Sequence, residues 1–73
     1  MPLRPLPYGE VKRKLEAAGF AVVSQKGSHV KFTESTDQGV RTAIVPNHRV
    51  VITGTLRSIL RQAGWSVGEF EAL

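Results

Sequence analysis

The spacing of apolar residues changes twice along this chain, and that change limits the fold more than any other feature. The first segment repeats apolar residues at the spacing of one helix face and stops at Gly19, which predicts an amphipathic helix. The middle alternates apolar and polar residues as strands do, and a second helical pattern then stops at Gly64. The helical stripes consist of Tyr8, Val11, Leu15 and Ala18, and of Leu56, Ile59, Leu60 and Ala63.

Three short strands are predicted between the helices. Within the second strand Val30 and Phe32 share one face, whereas His29, Lys31 and Thr33 share the other, so the polar face is expected to be exposed. The strands cover residues 20–25, 28–34 and 40–45, with a glycine turn at 26–27, a polar turn at 34–39 and Pro46 at the end.

Local signals place the helix ends. Thr53 is the expected N-cap of the second helix, and Ser66 with Glu69 fits a capping box that begins a short C-terminal helical turn. Glu10 and Lys14 stand four residues apart, which predicts an ion pair on the first helix.

The elements predict a single α+β domain over residues 1–73 in the order α-β-β-β-α. Three short strands form one antiparallel sheet, so both main helices must bury their stripes on the same face of it. The other face of the sheet is then open to a partner or substrate.

The chain lacks the cysteines that form disulfides or bind metals, and it lacks an apolar run long enough to span a membrane. With zero Cys and two His, the chain cannot build a disulfide scaffold, a zinc ribbon or an iron–sulfur site, and we expect no metal and no small-molecule cofactor. The longest apolar run, residues 17–23, is far shorter than the roughly 18 residues of a membrane span. The proline-rich start does not fit a signal peptide, so we expect a soluble, cytoplasmic protein that does not bind membranes.

Positive charge favours a polyanionic partner. Ten Lys and Arg against six Asp and Glu give a net charge of +4, and residues 38–68 contain no acidic residue but four arginines. Such an unbalanced positive field attracts nucleic acid or anionic lipid. The alternative is that the charge only keeps a small domain in solution.

His29 is the strongest candidate for chemistry. It follows a turn at Gly27-Ser28, with Lys26 before the turn and Lys31 further along the strand. An imidazole transfers protons near neutral pH, and Gly27 lets a phosphate approach the backbone N–H groups of the turn while the lysines stabilise its charge. The alternative is an exposed strand histidine without a role.

Three further features have two interpretations each. Arg57 and Arg61 are like charges on the exposed side of the second helix, which suits either an anionic partner or a solvated helix face. His48 either contacts a phosphate beside Arg49 or is a solvated loop residue. The apolar run 50–52 is either core or a patch for another protein.

Three segments of the chain together form a recognisable pattern. They are residues 26–32 with the motif Gly-Ser-His, residues 44–48, and residues 54–64 with the motif Gly-Thr-Leu. Over Tyr8 to Phe70 the chain resembles the HicA family of mRNA interferase toxins. The resemblance implies a fold like the double-stranded-RNA-binding domain, an RNA-cleaving activity with His29 as the catalytic residue, and a HicB-type antitoxin that covers the active site.

The residues and the resemblance together predict a metal-independent endoribonuclease that acts on mRNA. RNA carries its own nucleophile in the 2′-OH, so one imidazole with cationic support suffices. Two alternatives are a non-catalytic RNA-binding module that uses the same basic surface, and a protein-interaction domain whose partner covers residues 50–52. The candidate RNA-binding residues are Lys26, Gly27, Ser28, Lys31, Arg57 and Arg61.

Overall fold

The computed structural model describes residues 3–73. Met1 and Pro2, which belong to the predicted proline-rich start, lie outside the described residues. Within residues 3–73 no helix has the length and apolar content that would let it cross a bilayer. The elements are β1 (Leu6–Pro7), α1 (Tyr8–Ala17), β2 (Ala21–Lys26), β3 (His29–Thr36), β4 (Gly39–Pro46), β5 (Val50–Val51), α2 (Thr53–Ala63) and α3 (Val67–Glu71).

The central sheet has three antiparallel strands in the order β2-β3-β4. The predicted polar turn over 34–39 is wrong in its extent, because residues 34–36 continue β3 and pair with β4 as far as Gly39. The turn itself is Asp37-Gln38. The order α-β-β-β-α of the main elements is confirmed, and it is the order of a fold like the double-stranded-RNA-binding domain.

One cluster of buried side chains forms the core and joins the helices to the sheet. Val30 and Phe32 of β3 are buried, whereas Lys31 between them is exposed, as the alternation predicts. Both main helices therefore lie on the same face of the sheet. The core consists of Val11, Leu15, Phe20, Val30, Phe32, Ala43, Val45, Val51, Leu56, Ile59, Leu60, Ala63 and Phe70.

A small two-stranded ribbon was not predicted. Leu6 of β1 pairs with Val51 of β5, and Pro7 pairs with Val50, so the segment before α1 is tied to the segment before α2. Val51 is buried in the core, while Val50 and Ile52 are 45% and 61% exposed. The core interpretation is therefore confirmed for Val51, whereas Val50 and Ile52 lie on the surface, and their role as a patch for another protein stays a prediction.

Lys14 departs from the predicted pattern of α1. Its side chain is buried, with Nζ donating hydrogen bonds to the carbonyl oxygens of Phe70 (3.0 Å) and Leu73 (3.1 Å). The ammonium also lies 5.0 Å from the centre of the Phe70 ring, a cation–π distance. The predicted Glu10–Lys14 pair is wrong, because Glu10 pairs with Arg13 at 2.6 Å, and a hydrogen bond from Arg13 lowers the pKa of Glu10.

The ends of the last two helices follow the sequence signals in part. The predicted N-cap at Thr53 is wrong, because Ile52 occupies that position and supplies no side-chain hydrogen bond. At the other end Gly64 has a φ of +79°, the left-handed conformation that ends a helix. The capping box at α3 is confirmed, since Ser66 N–H donates to Glu69 at 2.9 Å and Ser66 Oγ accepts from Glu69 N–H at 3.1 Å.

Candidate functional site

His29 is the first residue of β3 and lies on the face of the sheet away from the core. It pairs directly with Lys26 of β2 and with Pro46 of β4, so its side chain shares a face with theirs. Its neighbour Val30 points into the core, and His29 itself is exposed. Lys31 lies two residues along the same face. The strand register thus places Lys26 and Lys31 on the same face of the sheet as His29.

The turn before His29 presents open backbone. Gly27 has a φ of +59° and Ser28 has a negative φ, which fits a type II′ turn, and this turn joins adjacent strands without splaying them. A Cβ atom added at Gly27 would meet nothing within 4 Å. The Ser28 carbonyl oxygen accepts a hydrogen bond from the backbone N–H of Asn47. The turn is therefore open on its outer side and held to the 47–49 loop on its inner side.

A cavity of about 450 Å³ lies beside the imidazole of His29. Pro46 and His48 also line it, followed by residues of the β5 segment and of the first half of α2. Gln62 of α2 closes one side, where its Oε1 accepts a hydrogen bond of 2.7 Å from the backbone N–H of Ile44. The cavity is large enough for the sugar and phosphate of one nucleotide, since small-molecule sites in proteins begin at roughly 300 Å³.

Cations near the cavity are not neutralised by carboxylates. Among residues 3–73, neither Lys26 nor Lys31 lies within 4.0 Å of a carboxylate oxygen. In the same part of the chain no group of three or more His, Asp or Glu side chains is arranged as metal ligands. The site is therefore suited to binding an anion through ammonium and backbone N–H groups.

A model of the HicA toxin of bacterial toxin–antitoxin systems matches residues 8–65. The chain belongs to the HicA toxin family. The match includes α1, the three-stranded sheet and α2, and it confirms the resemblance that the three motif segments indicated. A comparison with curated proteins finds no match. Membership makes this HicA-family chain the toxin of a toxin–antitoxin pair, and its partner is an antitoxin.

The candidate site contains only some of the predicted residues. Lys26, Gly27, Ser28 and Lys31 surround His29, as described above. Arg57 and Arg61 are exposed on α2 but line a separate groove beside Trp65.

The geometry of α2 explains the separation. Residues of α2 that face the cavity, Thr55 and Gln62, lie on a different side of the helix from the two arginines, because each residue turns the helix by about 100°.

Sequence reasoning missed the position of His48 in this HicA-family fold. The sequence is compatible with a phosphate contact and with a solvated loop position for this residue, and the structure places it on the wall of the cavity that His29 lines. The register of the β3–β4 hairpin could have located His48. It sets Pro46 opposite His29, so the residues that follow Pro46 lie beside the Gly27-Ser28 turn.

Proposed function

We propose that this HicA-family toxin is a metal-independent endoribonuclease that cleaves mRNA, with His29 as the general base, and that a HicB-type antitoxin inhibits it. One observation carries the proposal: His29 stands on the open face beside a nucleotide-sized cavity, directly across the strand pair from Lys26 and next to an open glycine turn. We also propose that residues 1–73 form a single domain.

The proposed reaction uses the nucleophile that RNA supplies. An imidazole nitrogen of His29 takes the proton of a 2′-OH, whose oxygen attacks the adjacent phosphorus while the bond from phosphorus to O5′ breaks. Negative charge grows on the non-bridging oxygens of the phosphate during this step. In this proposal Lys26, Lys31 and the N–H groups of the 27–28 turn, which adjoin His29, stabilise that charge.

Cleavage by this route predicts defined RNA ends and no need for metal. We expect a purified toxin to cut a short RNA equally well in EDTA and in magnesium, and to leave a 2′,3′-cyclic or 3′-phosphate end and a 5′-OH end. Mass spectrometry of the fragments is the measurement. The control is the same RNA with a 2′-deoxy sugar at the cut site, which should stay intact. Activity that disappears in chelator and returns with a divalent ion would contradict the mechanism.

The basic side chains predict an RNA affinity that depends on salt concentration. For single-stranded RNA the logarithm of affinity falls with the logarithm of salt concentration by about 0.7 per phosphate neutralised, so removing two contacts should flatten the slope by about 1.4. We expect this change in the Lys26→Ala/Lys31→Ala variant and in the Arg57→Ala/Arg61→Ala variant, measured by fluorescence anisotropy.

Only the lysine pair should also lower the cleavage rate at saturating RNA, because only those cations flank His29. The control is Lys12→Ala, which removes a cation of α1 that lines neither the cavity nor the groove beside Trp65. If neither double variant changes the slope, these residues do not track the RNA backbone.

Apolar side chains at the rim of the cavity support inhibition by occlusion. Ile44, Val50 and Ile52 are 37%, 45% and 61% exposed, an amount of apolar surface that suits a protein partner. A HicB-type antitoxin that covers this rim also buries His29 and is expected to offer carboxylates to Lys26 and Lys31.

Occlusion predicts that the complex neither binds nor cuts RNA until the two proteins separate. Anisotropy and cleavage assays on the free toxin and on the complex, across a salt series, measure this. A complex that binds and cuts RNA as well as the free toxin does would rule out occlusion.

A further inference from the structure

Both histidines of the chain line the same cavity. They belong to different segments, since His29 begins β3 and His48 lies in the loop after β4. The other lining residues are apolar or carry neutral hydroxyl and amide groups, as Thr55 and Gln62 do. The two imidazoles are therefore the ionisable side chains that line this cavity, and imidazole is the side-chain type best suited to proton transfer at neutral pH.

The backbone holds the two segments together. Pro46 pairs with His29 in the β3–β4 ladder, and one residue later the backbone N–H of Asn47 donates to the carbonyl oxygen of Ser28. His48 comes directly after this bond, so the pairing of Pro46 and the hydrogen bond of Asn47 hold its backbone close to the turn that precedes His29. A strand register and a tertiary hydrogen bond, rather than a loop that happens to pass by, bring the two side chains to one cavity.

Cleavage of the phosphodiester needs a second proton transfer. When the bond from phosphorus to O5′ breaks, the departing alkoxide is strongly basic and needs a proton, which the general base does not supply. An imidazolium, with an ordinary pKa of about 6.5, is a far better proton donor at neutral pH than an ammonium of about 10.4. The neighbouring lysines are thus suited to stabilising charge, and an imidazole is suited to protonating the leaving oxygen.

We propose that His48 is a second catalytic residue, the general acid that protonates the 5′ oxygen as His29 removes the proton of the 2′-OH. The step balances: one bond forms between O2′ and phosphorus, the bond to O5′ breaks, His29 gains one proton and His48 loses one. The inference rests on the proposed function and extends it from one imidazole to two.

A substrate with sulfur at the 5′ bridging position tests this role. A thiolate leaves without being protonated, so loss of a general acid matters for the oxygen substrate and not for the sulfur substrate. The substrate is a short RNA that the wild type cuts at one mapped bond, made with oxygen or sulfur at that bond. The variants are His48→Ala, His29→Ala and Asn47→Ala, whose side chain does not line the cavity.

Single-turnover cleavage rates at saturating RNA should then differ between the variants in a defined way. His48→Ala should cut the oxygen substrate about 100- to 10,000-fold more slowly than the wild type, the usual contribution of a general acid, and should cut the sulfur substrate at close to the wild-type rate. His29→Ala should be slow on both substrates, and Asn47→Ala should be normal on both. The fall in the wild-type rate at high pH, where the general acid has lost its proton, should be absent with the sulfur substrate.

Three results would overturn the assignment of His48. One is a normal rate of His48→Ala on the oxygen substrate. Another is an equal loss on both substrates, which indicates a binding or structural role. The third is rescue of His29→Ala by sulfur, which exchanges the two roles. A wild type that cuts neither substrate would instead refute the proposed function, and the inference with it. Thermal unfolding of each variant excludes loss of the fold as the cause.

Discussion

His29→Ala should abolish RNA cleavage while the protein stays folded and still binds RNA. Removing a general base typically lowers a rate by about 100- to 10,000-fold, and no other imidazole lies on the β3 side of the cavity among residues 3–73. The fold should tolerate the change, because an exposed strand residue away from the core usually alters stability by less than about 0.5 kcal/mol.

Three measurements decide this prediction. Single-turnover cleavage gives the rate, thermal unfolding gives the stability, and induction in bacteria shows whether growth arrest is lost with the activity. Ser35→Ala is the matched control, because Ser35 is an exposed polar residue of the same strand at the end remote from the cavity. A His29→Ala protein that cleaves RNA at nearly the wild-type rate would remove His29 from the mechanism.

Leu60→Ala should remove much of the stability of the domain. Leu60 is 4% exposed within α2, and truncating a buried leucine costs about 2–5 kcal/mol through lost burial and the cavity left behind. A domain of this length has a free energy of unfolding of about 4–11 kcal/mol in total, at 0.05–0.15 kcal/mol per residue. The variant is therefore expected to be partly unfolded at 37 °C.

Urea denaturation followed by circular dichroism measures the loss. Val40→Ala is the control, since this apolar residue of β4 is 66% exposed and its truncation leaves no cavity. If Leu60→Ala and Val40→Ala shift the urea midpoint equally, the packing of α2 on the sheet is not as described.

The main helices and strands were predictable because each is long enough to show a periodic pattern of apolar residues. The helices α1 and α2 span 10 and 11 residues, so their apolar stripes show at least two full turns. The alternation in β3 identified which residues are buried and which share the face of His29. Lys26 and Lys31 were placed beside His29 for the same reason, since a two-residue hairpin brings its flanking residues together.

Contacts between distant parts of the chain were not predictable. The β1–β5 ribbon pairs two-residue strands, which are too short to show a period. Lys14 is buried because carbonyl oxygens near the end of the chain accept its hydrogen bonds, and nothing near Lys14 in the sequence announces them. The same contacts explain the wrong Glu10–Lys14 pair, since Arg13 is left to bind the carboxylate.

The position of His48 was not predictable, because the predicted turn between β3 and β4 was longer than the observed one. In an antiparallel hairpin the turn sets every cross-strand pair, and the two-residue turn at Asp37-Gln38 sets Pro46 opposite His29. A turn spread over residues 34–39 leaves the register open by several residues. The two arginines of α2 were assigned to the same surface because sequence shows which helix face is polar, but not which neighbour that face meets.

The two walls of the cavity differ in how firmly they are anchored. His29 stands in an eight-residue strand that is paired on both sides, whereas the opposite wall is the loop that carries His48 and the two-residue strand β5. Elements with so few ladder hydrogen bonds open at a much lower free energy than the central strand of a sheet. The central strand that carries His29 is therefore expected to resist local opening more strongly than the two-residue strand β5 that lines the same cavity.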